Sequence, residues 1–248
     1  MEVLRDEVYD EESGCRADVY LPENFGYDTV VYFHGGGMEA GDKADANVCD
    51  IAEYFCEKGY AFVSVNYTLY PAAVFPGYLK EGALAVRFAL NNVAGKGGSG
   101  RVAVSGQSAG AWISLMLCFD RRYFDGCGVD GEKIFAWIID SAQTTSHYNV
   151  MKYEKGLSPA LQRIDELAPL YYVDENTRFS RMLLIYYEKD MPCRLQQNEL
   201  LYAAIKNLNR DSDVEKICLK GGHCRASCVK EPDGTYEFAT VALDFLER

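Results

Sequence analysis

The sequence lacks long apolar runs, and this absence excludes some classes of protein. None of its 248 residues falls in a run of about 18 apolar residues, so we predict no membrane-spanning helix. The segment Met1 to Glu7 has no apolar core, so we expect no secretory signal peptide. Internal repeats and linker-like stretches are also missing. The length therefore predicts one large domain, with residues 141 to 181 as a candidate small lid insertion.

Positive charge is scarce as well. The chain has 25 Lys and Arg residues against 37 Asp and Glu residues, which gives a net charge of −12. This balance argues against nucleic acid and anionic membranes as partners, and it leaves a small neutral molecule as the expected partner. None of the nine cysteines forms a C-x-x-C pair. We interpret them as reduced thiols of a cytoplasmic protein. The sequence does not indicate an oligomeric state.

One stretch does carry a recognisable chemical pattern. Gly106 to Gly110 reads G-x-S-x-G, with Ser108 at its centre. A strand-like run, Val102 to Ser105, precedes it, and a helix-like run, Ala111 to Leu117, follows it. Strand, sharp turn and helix form the context in which such a serine is exposed as a nucleophile. Chance alone would produce the three fixed residues in about one chain of this size in ten, so the motif needs support from other residues.

A serine nucleophile needs a neighbouring base. The chain has only three histidines: His34, His147 and His223. His223 comes just after the last predicted strand, so its loop should open at the same edge of the sheet as Ser108. We therefore predict that His223 is the base.

The base in turn needs an acid that orients it. Asp190 comes three residues after a predicted strand that ends at Tyr187, and we predict that it is this acid. Glu188 is the second candidate, although a solvated loop charge is the simpler interpretation. Asp140 is the third, because it ends a strand that comes one strand too early.

Stabilisation of a negatively charged oxygen requires backbone N–H groups that point to one place. The run His34 to Gly37 follows the predicted strand Thr29 to Phe33, and its glycines allow a close backbone approach. A flexible turn is the alternative interpretation of these glycines. The N–H of Ala109, next to the serine, would supply a further donor. His34 itself is expected to be structural, since it precedes the donors.

Strand and helix patterns alternate from Thr29 onward, which predicts a mostly parallel twisted sheet with helices on both faces. We expect two short strands before it, at Val3 to Tyr9 and Cys15 to Leu21. The stretch from Asp140 to Arg181 is the least regular, and we predict only a short helix there, near Ala160 to Glu166.

These motifs together resemble the α/β-hydrolase superfamily, and within it the esterase/lipase group with an H-G-G-G motif. That group includes enzymes akin to hormone-sensitive lipase and to acetyl-xylan or feruloyl esterases. The resemblance covers nearly the whole chain, including the segment Val63 to Pro71. Two residues depart from the group's pattern: Thr68 replaces an arginine, and Tyr187 replaces a glycine. Only 33 residues precede His34, so we expect a minimal cap.

The resemblance implies an α/β-hydrolase fold and a serine esterase that needs no cofactor and no metal. It implies Ser108 as nucleophile, His223 as base and Asp190 as acid, in the chain order that this superfamily uses. Gly36, Gly37 and Ala109 would be the oxyanion donors. The expected substrates are short-chain acyl, acetyl-like or phenolic esters, including those of carbohydrates. An arylformamidase, an amidase or a small peptidase is the nearest alternative, and a non-catalytic small-molecule receptor is the second.

Overall fold

The chain folds around one eight-stranded sheet. The computed structural model describes all 248 residues. The strands run in the spatial order β1-β2-β4-β3-β5-β6-β7-β8. Only β1 with β2 and β2 with β4 pair antiparallel, which confirms the mostly parallel sheet. The strands are β1 (Glu2–Asp10), β2 (Cys15–Leu21), β3 (Tyr27–Phe33), β4 (Ala61–Val65), β5 (Gly98–Gln107), β6 (Ile134–Asp140), β7 (Arg181–Lys189) and β8 (Asp213–Gly222).

Helices cover both faces of this sheet, as the alternating pattern predicted. One apolar cluster joins α2, α3 and α6 to one face, and a second joins α1 and α8 to the other. Every residue of α3 is buried, because this helix lies between the sheet and α2. None of the helices is both long and apolar enough to span a membrane. The helices are α1 (Ala46–Glu57), α2 (Gly77–Phe88), α3 (Ala109–Phe119), α4 (Arg122–Cys127), α5 (Tyr148–Lys155), α6 (Arg194–Leu208), α7 (Arg225–Cys228) and α8 (Glu237–Leu246).

The helix predicted near Ala160 to Glu166 is wrong, because those residues are irregular. Their polar groups bond to the preceding loop instead: the carbonyl of Arg163 accepts from the Ser146 N–H, and Asp165 accepts from the Ser146 hydroxyl. The helix of this region is α5, which lies earlier in the chain. Only three of its eight residues are buried, namely the consecutive Asn149, Val150 and Met151, and these do not follow the i, i+3, i+4 spacing by which an apolar helix face is recognised.

The parallel strands all end at one edge, and this edge collects polar residues. Ser108 directly follows β5, Ser141 follows β6, Asp190 follows β7 and His223 follows β8. Neighbouring parallel strands bring their carboxyl ends together, so residues far apart in sequence become neighbours. The candidate site is built at this edge.

Candidate active site

Ser108 lies in a strained turn between β5 and α3. Its φ of +52° is rarely adopted by residues other than glycine and costs about 1–3 kcal/mol. The flanking glycines are required by close packing. A methyl group on Gly106 would lie 2.4 Å from the carbonyl carbon of Gly110, and one on Gly110 would lie 2.0 Å from the carbonyl oxygen of Phe33. The predicted strand, sharp turn and helix are therefore all present.

His223 and Asp190 form a chain of hydrogen bonds with this serine. The Nε2 atom of His223 is 2.8 Å from Ser108 Oγ, and its Nδ1 atom is 2.5 Å from Asp190 Oδ1. Only 1% of the Asp190 side chain is exposed, against 25% of the His223 side chain. Burial acts to raise the pKa of Asp190, but hydrogen bonds from His223 and Ser141 hold it below its ordinary value. An ionised Asp190 favours a proton on Nδ1, which leaves Nε2 free to accept one from Ser108.

The two other candidate acids lie outside this chain of hydrogen bonds. Glu188 is exposed, and its carboxylate makes no hydrogen bond to His223. Both oxygens of Asp140 accept from other side chains, namely those of Tyr187 and Ser227. The structure thus brings together the side chains of Ser108, His223 and Asp190. The carboxylates of Glu188 and Asp140 take no part in this chain of hydrogen bonds, although the Asp140 carbonyl accepts from the Ser108 N–H at 2.8 Å.

Ser141 is a member of this cluster that the sequence analysis missed. Its hydroxyl donates to Asp190 Oδ2, and its oxygen lies 2.9 Å from Nδ1 of His223. The residue has a φ of +58°, and both its backbone N–H and its carbonyl are hydrogen-bonded. The Ser141 N–H donates to the Ile185 carbonyl at 2.7 Å, and the buried guanidinium of Arg194 donates to the Ser141 carbonyl at 2.8 Å. Ser141 therefore contacts both the acid and the imidazole.

Asp140 anchors the turn that carries His223. Its carboxylate accepts from the Tyr187 hydroxyl at 2.9 Å and from the Ser227 hydroxyl at 2.5 Å. The Tyr187 oxygen in turn accepts from the Ala226 N–H at 3.1 Å. Ala226 and Ser227 belong to α7, so these bonds tie α7 to β6 and β7. Tyr187 thus takes part in this buried hydrogen-bond network, at a position where the resemblance would place a glycine.

The glycine loop after β3 presents unused donors. Gly36 and Gly37 have φ values of +96° and +67°, which lie in the left-handed region that favours glycine. None of the N–H groups of Gly36, Gly37 and Ala109 donates a hydrogen bond within the protein. Gly37 and Ala109 are buried, and buried N–H groups are rarely left without a partner. These three donors are therefore free to bind an acceptor from outside the chain.

His34 lies behind this loop. It is 2% exposed, its ring stacks on Tyr67 at 4.6 Å between ring centroids, and its Nδ1 atom is 2.8 Å from the Gly35 carbonyl oxygen. Burial lowers its pKa. It makes no hydrogen bond to Ser108, Asp190 or His223.

Helix α5 is fastened to the glycine loop, which the sequence analysis did not foresee. The Asn149 amide donates to the Gly37 carbonyl at 2.6 Å and to Glu39 Oε2 at 2.8 Å. The Tyr153 hydroxyl and the Lys152 ammonium, the latter at 2.9 Å, both donate to Glu39 Oε1. Hydrogen bonds from Tyr153, then Lys152 and Asn149, lower the pKa of Glu39 to about 2. The ionised Glu39 thus holds the first half of the 141 to 181 segment against the loop.

Most of the polar run that opens this segment is buried rather than exposed. Gln143, His147 and Asn149 are each at most 2% exposed. Further along, Tyr153 and Tyr171 are exposed at 42% and 56%. No group of three or more His, Cys, Asp or Glu side chains is arranged to hold a metal ion, and all nine cysteines are free thiols.

Comparison with known proteins identifies similar sequences. The family model described as BD-FAE matches residues 17–205. Isoprenylcysteine alpha-carbonyl methylesterase ICME of Arabidopsis thaliana is 28% identical over 158 residues, which cover 61% of this chain and 36% of the plant protein. Human hormone-sensitive lipase is 34% identical over 91 residues, which cover 36% of this chain and 8% of the lipase. The chain thus spans about a third, or less, of the length of these relatives.

Solved structures share the fold over nearly the full chain. The apo form of esterase 2 from Thermogutta terrifontis has a TM-score of 0.79 at 17% identity, and covers 99% of this chain and 93% of that one. That esterase has also been solved with propionate and with butyrate bound. Esterase B from Lactobacillus Rhamnosis has a TM-score of 0.75 at 16% identity, and covers 99% of this chain and 84% of that one. These likenesses confirm the predicted fold.

Proposed function

The chain belongs to the BD-FAE family of α/β-hydrolases, and on that premise we propose that it is a serine carboxylic ester hydrolase. Membership confirms the resemblance to the esterase/lipase group that the motifs indicated. The observation that carries the proposal is the unbroken chain of hydrogen bonds from Ser108 through His223 to Asp190. These three side chains lie beside the backbone N–H groups described above, which donate to no group of the protein.

The proposed reaction is a double displacement. Ser108 Oγ forms a bond to the ester carbonyl carbon while Nε2 of His223 takes the serine proton. The carbonyl oxygen becomes negatively charged and accepts from the N–H groups of Gly36, Gly37 and Ala109. When the bond to the alcohol breaks, His223 gives its proton to the departing oxygen. Water then attacks the acyl carbon while His223 takes the water proton. The bond between this carbon and Ser108 Oγ breaks, His223 returns the proton to Oγ, and the acid is released.

We further propose that the acyl group is short. The esterases named above, one of which binds propionate and butyrate, support a small acyl pocket. We propose in addition an alcohol part with hydroxyl or aromatic groups, such as a sugar or a phenol, because the 141 to 181 segment exposes the aromatic side chain of Tyr171. Each methylene buried in a longer tunnel would contribute about 0.8 kcal/mol. We therefore expect kcat/KM to stop rising between acetate and butyrate.

The test combines labelling with kinetics. The native protein should react with a fluorophosphonate probe and hydrolyse p-nitrophenyl esters from acetate to decanoate with the preference given above. Ser108→Ala and His223→Ala should each lower kcat by about 10⁴ or more, and the double variant should cost little beyond either change alone. Ser158→Ala, at an exposed serine outside the site, is the control and should match the wild type. A native protein that is neither labelled nor active on any ester would contradict the proposal, and a steady rise in kcat/KM to decanoate would contradict the short acyl pocket.

A further inference from the structure

The side chain of Tyr148 reaches the glycine loop. Tyr148 is the first residue of α5, and its hydroxyl lies directly against Gly37. A methyl group built on Gly37 would be only 2.3 Å from Tyr148 Oη. The phenol therefore occupies the space beside the glycine whose N–H is one of the three unused donors.

The hydroxyl of Tyr148 has no hydrogen-bond partner within the protein, whereas other tyrosines around the site do. Tyr67 donates to the His34 carbonyl, Tyr153 to Glu39 and Tyr187 to Asp140. The Tyr148 hydroxyl is also not sealed in the interior, since the buried polar atoms without a partner belong to other residues, such as Tyr32. An accessible donor with unused capacity thus lies next to Gly37.

The surroundings fix the position of this phenol. Its ring stacks on His147 with 4.4 Å between ring centroids, and His147 packs edge-on against Trp112 at 5.6 Å. The Nδ1 atom of His147 caps α5 by accepting the Asn149 N–H at 3.2 Å. Asn149 in turn binds the Gly37 carbonyl at 2.6 Å. A donor that is held in place before the reaction stabilises a developing charge without a reorganisation cost.

The hydroxyl is in its donating form at neutral pH. Burial raises the pKa of Tyr148 above its ordinary value, so the phenol keeps its proton.

We propose that Tyr148 is a further catalytic residue, whose hydroxyl donates a hydrogen bond to the oxyanion formed on Ser108 attack, together with the N–H groups of the glycine loop. The inference rests on the proposed ester hydrolysis. No proton leaves Tyr148: its O–H bond stays intact, and the hydrogen bond forms as negative charge develops on the carbonyl oxygen. Because the uncharged ester oxygen is a weaker acceptor, this contact should favour the transition state over the bound substrate.

The experiment compares two phenylalanine variants on the same helix. Tyr148→Phe should lower kcat for p-nitrophenyl acetate by about 100-fold and leave KM unchanged. A trifluoromethyl ketone, whose adduct with Ser108 carries an oxyanion, should bind Tyr148→Phe more weakly by the same factor. Tyr153→Phe removes a hydroxyl that faces Glu39 rather than Gly37, and it should keep the wild-type kcat. Thermal unfolding of both variants checks that they fold.

The outcomes distinguish a failure of the proposed role of Tyr148 from a failure of the proposed ester hydrolysis. An active wild type with an equally active Tyr148→Phe overturns the inference alone. So does a rise in KM with kcat unchanged, which would indicate a contact to bound substrate, or an equal loss in both variants, which would indicate that α5 has merely lost its contacts. A wild type that cleaves no ester overturns the proposed function and this inference together.

Discussion

Asp140 and Asp190 lie at the ends of neighbouring strands, yet their surroundings differ. Asp140 is fully buried and accepts from two uncharged hydroxyls, those of Tyr187 and Ser227. The Asp190 side chain is 1% exposed and faces the imidazole of His223. Exposure therefore does not distinguish the two carboxylates, but their partners do.

The pKa values of the two carboxylates are shifted in opposite directions. Burial raises the pKa of Asp140 to about 6, although hydrogen bonds from Ser227 and Tyr187 oppose the shift. Burial acts in the same direction on Asp190, but its bonds to His223 and Ser141 prevail and lower the pKa. A carboxylate next to an imidazole can stabilise a positive charge there, whereas one held by hydroxyls can only anchor neutral groups. The comparison therefore supports the proposed catalytic role of Asp190 and indicates that Asp140 anchors α7.

The largest expected effect tests this division directly. Asp190→Asn should lower kcat by about 10⁴, because an amide favours the wrong tautomer of His223. Asp140→Asn keeps a side-chain oxygen that can accept a hydrogen bond from a hydroxyl group, so the kcat of this variant should fall far less. Steady-state hydrolysis of p-nitrophenyl acetate measures both, with urea unfolding as the check on folding. Equal losses in the two variants would show that the roles are not separate.

The second effect, on stability, has opposite signs at the two sites. Because the folded pKa of Asp140 is raised, its contribution to stability is present below its unfolded value near 3.8 and is lost as the pH rises through about 6. The wild type should therefore lose about 3 kcal/mol relative to Asp140→Asn over this range, at about 1.4 kcal/mol per pKa unit. Asp190 has a lowered pKa, so its contribution is present above its unfolded value and is lost as the pH falls through the folded one.

Urea unfolding from pH 4 to pH 7 measures this difference. The free energies of unfolding of the wild type and Asp140→Asn should diverge as the pH rises. The same comparison with Asp190→Asn should show no such divergence, since its change falls at lower pH. A constant difference between wild type and Asp140→Asn across the range would count against a raised pKa at Asp140.

Much of this architecture was predictable because it depends on local pattern. The buried strands are continuous apolar runs, such as Val102 to Ser105, and their alternation with amphipathic helices predicts a parallel sheet. The candidate site was predictable in part for the same reason, since Ser108, Asp190 and His223 occur where strands end. Ser141 occupies the equivalent place after β6, and that position was the signal that could have identified it.

Other features depend on contacts that the sequence does not display. Helix α5 has few buried residues, and its contacts with Glu39 and the glycine loop join positions more than 100 residues apart. The same holds for the hydroxyl of Tyr148, whose place beside Gly37 follows from that contact. The helix expected near Ala160 to Glu166 failed because tertiary bonds to Ser146 replace helical ones.

The smallest expected effect uses two serines as a matched pair. Ser141 donates to Asp190, and Ser227 donates to Asp140. A hydrogen bond to a charged group contributes about 1.5–3 kcal/mol, and about 1.4 kcal/mol corresponds to a tenfold change in rate. Ser141→Ala should therefore lower kcat about tenfold, because Asp190 and the His223 ring lose the hydroxyl group that fixes their relative orientation.

Ser227→Ala should act instead on the free energy of unfolding, by about 1.5–3 kcal/mol, with a smaller effect on kcat. Its hydroxyl belongs to the buried contact beneath α7 and does not reach the imidazole. The kinetics and urea unfolding of the two variants, measured side by side, distinguish a positioning contact from an anchoring one. If Ser141→Ala changed stability alone, or Ser227→Ala changed kcat the more, the two carboxylates would share one role. The proposed separation of a catalytic Asp190 from an anchoring Asp140 would then be wrong.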